Sequence, residues 1–186
     1  MTSPPPIILL ADARFAPYVL NSDFSVQVQG YVSPTFGLPV SQWPVTSVAP
    51  YQKHYGIDPG EFRAYLQPGA SGAIFVAWLD EQPVGHVVVS AHWNNYAHVD
   101  ELAVDASARR RGVARALLDV ARFWALKRNL PGIMLETQNN NRGACLLYED
   151  YGFELGGIDN LRYRAIDATS RETAIFWYLL FAGSEQ

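Results

Sequence analysis

The chain has 186 residues, 49% of them hydrophobic, and a formal net charge of −4, which suits one globular domain and excludes the basic footprint of a nucleic-acid binder. Cys145 is the sole cysteine, so an intramolecular disulfide and a CxxC zinc or redox pair are both excluded. His54, His86, His92 and His98 never fall into HxxxH spacing, and no metal site is expected.

No stretch approaches the roughly 18 apolar residues of a membrane helix, and MTSPPPIILLADARF lacks the basic start and long apolar core of a signal peptide. A cytoplasmic protein without membrane or nucleic-acid partners is expected. Residues 1–50 are rich in Pro, Ser and aromatics without clear periodicity and read as strand fragments and loops. In DPGEFRAYL, Asp58 suits a cap, Pro59 a first helical position and Glu61 a capping box, which predicts a short helix. AIFVAWL and VGHVVVSA flank the turn residues DEQP and predict a hairpin. HVDELAVD reads as a strand over 98–105. From 109 to 128 the apolar residues Val113, Leu117, Val120, Ala121 and Trp124 recur at helical spacing. GIMLET then reads as a strand and RGACLLYEDY as a helix stopped by Gly152. DNLRYRA reads as a further strand, and RETAIFWYLLF as a terminal helix or strand that could cover its own core or pair with a second subunit in a homodimer. The order describes an α/β domain with a mixed sheet.

Between LAVD and the long helix lies RRRGVAR, residues 109–115. Successive backbone N–H groups at a helix N-terminus attract anions, and a glycine lets the backbone approach a phosphate closely. Arginines ordinarily suit the opposite helix end, so three of them here point to a bound anion. GxxxxGK[ST] and a strand-linked GxGxxG are both absent, which argues against nucleotide-hydrolysing and dinucleotide-binding folds.

RRRGVA after LAVD resembles the R/Q-x-x-G-x-G/A signature of the GNAT superfamily of acetyl-CoA-dependent N-acetyltransferases, and NRGACLLYEDYGF resembles that family's N-x-x-A-x-x-x-Y-x-x-x-G-F segment. WNNYAHVDELAVD, GIMLETQNNN and AIFWYLLF resemble the streptothricin acetyltransferase branch in particular. The resemblance implies a GNAT-like, mostly antiparallel central sheet flanked by helices in a single domain. It implies a core at 51–186 that binds acetyl-CoA, and an N-terminal extension at 1–50 on the acceptor side. Leu102, Ala103 and Val104 would offer backbone groups to the acetyl and pantetheine. The amides of Arg109, Arg110, Arg111, Gly112, Val113, Ala114 and Arg115 would cradle the pyrophosphate, with Ala114 where many relatives have glycine. Asn141 would touch the pantetheine arm and Tyr148 the thioester sulfur.

Acetyl transfer needs a neutral amine, and deprotonating a lysine-like group at pH 7 costs roughly 4–5 kcal/mol, so a base is expected. Glu136, at the end of MLE, is the candidate, with Asp100 and Glu101 competing; neighbouring strand residues face opposite ways unless a bulge intervenes. The plainer reading of Glu136 is a solvent-facing strand residue. Tyr148 is the candidate acid for the leaving thiolate, since a phenol is well matched to a thiol; its plainer reading is core packing. A backbone N–H near Val104 is a plausible oxyanion donor. Asp100, Glu101, Trp93 and Tyr96 are the candidate contacts to a small cationic amine, with Trp43 and Tyr51 as further aromatic candidates. Cys145 reads as a small buried residue. The alternatives are acetylation of a protein N-terminus, a lysine or a polyamine, and an acyl-CoA-binding module without transfer activity. For LETQNNN the expectation is that one asparagine caps the helix and another touches the cofactor.

Overall fold

A computed structural model describes residues 4–182; residues 1–3 and 183–186 lie outside the described residues. The first elements are strand β1 (Ile7–Leu10), helix α1 (Phe15–Leu20), and strands β2 (Val26–Val32) and β3 (Val45–Lys53). Strands β4 (Gly72–Leu79), β5 (Gln82–Ala91) and β6 (Ala97–Val104) precede helix α2 (Val113–Leu126). Strand β7 (Gly132–Gln138), helix α3 (Arg142–Tyr151), and strands β8 (Glu154–Asp159) and β9 (Ala174–Leu180) follow. The chain forms two compact units, one from residues up to 25 with 54–133, the other from 26–53 with 134 onward.

In the first unit the strand order is β1-β4-β5-β6, every neighbouring pair antiparallel. Two helices use opposite faces of these strands. Helix α2 buries Val113, Leu117, Leu118, Ala121, Trp124 and Ala125. Its start sits so close to β5 that a Cβ on Gly85 would lie 2.9 Å from Val113 and 3.0 Å from the Ala103 carbonyl, so only glycine fits there. On the other face Phe15, Tyr18 and Val19 of α1 pack with Ile74, Val76 and Val88.

In the second unit β2 and β3 form an antiparallel ribbon, and β9 lies between β7 and β8. Its core stacks Trp43 on Trp177, ring centroids 5.8 Å apart, with Tyr148 tilted against Trp177 at 6.2 Å. Trp43, a sequence candidate for an acceptor cleft, is therefore a core residue, 3% exposed.

Several sequence expectations change. The segment DNLRYRA is not a strand: Asp159 Oδ1 accepts from the amides of Leu161 and Arg162 at 2.8 and 3.1 Å, and this side-chain turn ends β8. Asp58 likewise closes a turn onto the Gly60 amide at 2.8 Å, leaving only a 3-10 turn at Arg63–Leu66. Helix α2 begins at Val113 because Arg110 and Gly112 both adopt positive φ, 61° and 80°. The apolar terminal segment is strand β9.

The β4–β5 hairpin turns on two residues, Asp80 and Glu81, at φ 49° and 62°, the left-handed pair that Asn-Gly supplies with least strain. Replacing Asp80-Glu81 by Asn-Gly should raise stability by about 1 kcal/mol, read as a higher thermal midpoint; an unchanged or lowered midpoint contradicts this turn geometry.

Candidate active site

In the first unit the phosphate-loop candidate is built onto the end of β6. Asp105 caps the following 3-10 turn by accepting from the Ser107 amide, and its second oxygen accepts from the Asp23 amide at 2.9 Å. Arg109 folds back so that its Nε donates to the Val104 carbonyl at 3.1 Å. The helix then starts at Gly112 with no side-chain cap and no acidic residue in its first turn. The first intrahelical bond runs from the Ala116 amide to the Gly112 carbonyl, so the amides of Val113, Ala114 and Arg115 have no acceptor within the helix. Arg110, Arg111 and Gly112 are exposed, and no heavy atom lies within 4 Å of where a Gly112 Cβ would stand. Arg111 reaches Asp80 at 3.7 Å. An uncapped, exposed helix start with arginines beside it has the amides and the charge that suit an anion.

Strand β6 carries the carboxylates. Val88 pairs with Glu101 and Val89 with Val99, so Asp100 is an extra residue, a β-bulge. Leu102 and Val104 are partly exposed and Ala103 is buried. Asp100 Oδ1 meets His98 Nδ1 at 2.8 Å, while its buried Oδ2 has no partner. Glu101 Oε1 is hydrogen-bonded to His86 Nε2. On the β5–β6 connection Trp93 is 86% exposed and Tyr96 partly buried.

The second unit holds the remaining candidates. Both oxygens of Glu136 are engaged: Tyr163 donates its hydroxyl to Oε1, and Arg162 Nε donates to Oε2 at 2.8 Å. Burial first, and then the adjoining Glu136, push the Tyr163 phenol up, so it stays a donor. Sequence reading missed these partners because it placed Arg162 and Tyr163 in a strand. Tyr148 is 6% exposed and rests against Phe153 and Trp177.

The three asparagines divide their work. Asn141 caps α3, its Oδ1 accepting from the Ala144 amide at 3.1 Å. Asn139 is buried and fastens two segments: its Nδ2 donates to the Val32 carbonyl at 3.2 Å and its Oδ1 accepts from the Thr173 amide at 2.9 Å. Asn140 donates to Glu172, which also pairs with Lys53. This polar network, absent from the sequence reading, joins residues far apart in the chain. Cys145 is 0% exposed, and burial pushes its thiol up to about 12, which leaves no thiolate for covalent catalysis. Among the described residues no His, Cys, Asp or Glu cluster could hold a metal ion, and no helix is long and apolar enough to cross a membrane.

The profile of the acetyltransferase (GNAT) family matches residues 39–153, more than half the chain and including both the arginine loop and the α3 segment. The chain belongs to the GNAT acetyltransferase family. As a GNAT member it is an acetyl-CoA-dependent N-acetyltransferase, and its signature residues fall on the uncapped helix start and on α3. It is 40% identical over 139 residues to a streptothricin acetyltransferase of Escherichia coli, covering 75% of each chain. It is 36% identical over 132 residues to streptothricin acetyltransferase A of Bacillus subtilis, covering 71% of this chain and 75% of the relative. A Bacillus anthracis protein assigned to the streptothricin acetyltransferases, solved in complex with acetyl coenzyme A, superposes with a TM-score of 0.82 at 34% identity, covering 95% of this chain and 99% of that one. The GNAT α/β fold with its mostly antiparallel sheet is thereby established.

Two measurements follow from the loop and the cysteine. Gly112→Ala should cost about 1 kcal/mol in stability from its φ while raising the KM for acetyl-CoA severalfold, because the added methyl enters the open space before the helix amides; an unchanged KM would separate this loop from the phosphates. Cys145 should resist a thiol reagent at pH 8 in the native protein and react fully once unfolded.

Proposed function

We propose that this GNAT enzyme transfers the acetyl group of acetyl-CoA directly to a primary amine of a streptothricin-type antibiotic in the cytoplasm, and so confers resistance. The observation that carries this reading is the 40% identity to the Escherichia coli streptothricin acetyltransferase across three quarters of both chains. The acceptor chemistry agrees with it. Streptothricins are cationic, and the Asp100 bulge offers a buried carboxylate oxygen with no partner, which an ammonium group would satisfy.

In this reading the amides of Arg109–Arg115 hold the pyrophosphate, the amide group of Asn141 reaches the pantetheine while its Oδ1 caps the helix, and the backbone of Leu102–Val104 accompanies the acetyl arm. Asp100, Trp93 and Tyr96 contact the acceptor. The amine loses a proton to a carboxylate, its nitrogen attacks the thioester carbon, a backbone N–H near Val104 steadies the oxyanion, and Tyr148 gives its proton to the departing thiolate.

Three carboxylates, Glu136, Glu101 and Asp100, compete for the amine's proton. Glu136 is the position the sequence favours. One observation supports the second reading, with Glu101 as base: both oxygens of Glu136 are already held by Arg162 and Tyr163, whereas among the described residues Glu101 is engaged through Oε1 alone. We take Glu101 as the base and give Glu136 the task of ordering Arg162 and Tyr163. Retention of Glu136, Asn141 and Tyr148 argues against a binding module without activity.

Release of CoA thiol should be tested against streptothricin, a polyamine, a lysine peptide and a free peptide N-terminus. Turnover should be highest with streptothricin; tight acetyl-CoA binding with no thiol released above background by any amine would leave only the binding module. Tyr148→Phe should lower kcat at least tenfold, and turnover within about twofold of wild type would remove the acid role. In pH profiles of kcat/KM, Glu101→Gln should abolish the acidic limb and Glu136→Gln should keep it; the reverse pattern restores Glu136 as base.

A further inference from the structure

His86 is wholly buried in an apolar cage formed by the rings of Phe15, Tyr18 and Phe24, whose centroids lie 5.2, 5.7 and 5.3 Å from the imidazole, each nearly perpendicular to it. Packing alone would favour an aliphatic residue there, since a buried imidazole costs free energy unless both nitrogens are satisfied. Both are. The Tyr18 hydroxyl lies 3.2 Å from Nδ1, and Nε2 meets Glu101 Oε1. Burial first, then the charges of Asp105 and Glu101, push the Tyr18 phenol up. A carboxylate only accepts, so the Nε2 that meets Glu101 Oε1 carries the imidazole proton; Nδ1 is then the ring's acceptor, and the Tyr18 hydroxyl donates to it. The titratable groups on the cage are Tyr18 from α1 and Glu101 from β6, with Asp105 beyond the end of β6 acting on Tyr18; the other walls are Phe15 and Phe24.

We propose that Tyr18 and His86 form a buried positioning chain that fixes Glu101 through its Oε1 and so presents its other oxygen, Oε2, to the acceptor amine. This inference rests on the reading of Glu101 as the base. In the step it serves, the ammonium N–H bond breaks, the proton forms an O–H bond on Oε2, and the nitrogen lone pair is freed to attack the thioester. His86 touches neither substrate nor cofactor. Its Nε2–H holds one carboxylate oxygen in place until the amine arrives. Tyr18 fixes the tautomer that makes this possible. The same logic explains why a phenol and an imidazole sit beside the apolar cluster of Phe15, Val19, Ile74, Val76 and Val88 on the α1 face of the sheet.

The test compares His86→Leu, His86→Gln, Tyr18→Phe and Glu101→Gln in the full-length enzyme with acetyl-CoA and streptothricin, alongside thermal melting and acetyl-CoA binding. His86→Leu should bind acetyl-CoA as wild type does, lose about tenfold or more in kcat, and move the acidic limb of the kcat/KM profile to higher pH, because the carboxylate has lost its N–H donor. His86→Gln, whose side-chain amide can donate to Oε1, should recover most of kcat. Tyr18→Phe keeps the ring packing and should shift the profile in the same direction by less; it decides the matter if His86→Leu does not fold. The proposal is overturned if His86→Leu and Tyr18→Phe stay within twofold of wild type with an unmoved limb while Glu101→Gln is inactive. A fully active Glu101→Gln would instead remove the base assignment itself, and with it the reason for the chain.

Discussion

One inserted residue in β6 decides which way the carboxylates face. Residues two apart on a regular strand share a face, so without the bulge Glu101 would point with Val99 toward the α2 side. The register change at Asp100 puts Glu101 opposite Val88, and therefore on the face of His86, Val88 and the α1 helix. Facing the other way, the carboxylate would meet the apolar contacts of α2, at a desolvation cost with no partner to offset it. The same extra residue carries Asp100, one of whose oxygens is buried and unmatched. A single irregularity thus sets side by side two carboxylates that are each held through one oxygen, Glu101 by His86 and Asp100 by His98.

The rest of the first unit supports that strand. Gly85 admits the start of α2 against the sheet, which sets the position of the uncapped amides beyond Gly112, and Arg109 ties the loop back onto the Val104 carbonyl. On the opposite face α1 contributes apolar cover together with Tyr18, the one side chain of that helix bonded to His86. In the second unit the polar residues of the β7–α3 junction serve a comparable structural end: Asn139 binds backbone groups of two other segments and Asn141 caps its own helix. A buried amide that meets both a carbonyl and an N–H replaces backbone pairing where regular strand geometry stops.

Much of this was legible in the chain. The period of α2, the alternation and turn residues around the β4–β5 hairpin, and the Gly152 stop of α3 are local signals, and local signals survive folding. The arginine loop was legible because its charge sits at the wrong end of a helix unless an anion joins it. The segment 159–165 was misread because its alternating apolar residues imitate a strand, while the competing side-chain turn at Asp159 depends on a hydrogen bond that periodicity does not register. His86 passed as an ordinary strand histidine, since its partners are 68 residues before it and 15 after it. Glu136 drew attention for its position at a strand end, whereas its attachment to Arg162 and Tyr163 arises from a loop 26 and 27 residues downstream. Chemistry carried by one segment could be read from sequence; chemistry made by several could not.

Whether His86 turns its ring proton toward Glu101 can be read from nitrogen chemical shifts of the enzyme labelled with 15N at its histidine rings, with His86 assigned by comparison with His86→Gln. The expected result is a His86 imidazole with its proton on Nε2 and an Nδ1 that accepts a hydrogen bond, the latter signature lost in Tyr18→Phe. A neutral ring carrying its proton on Nδ1, unaffected by Tyr18→Phe, would contradict it.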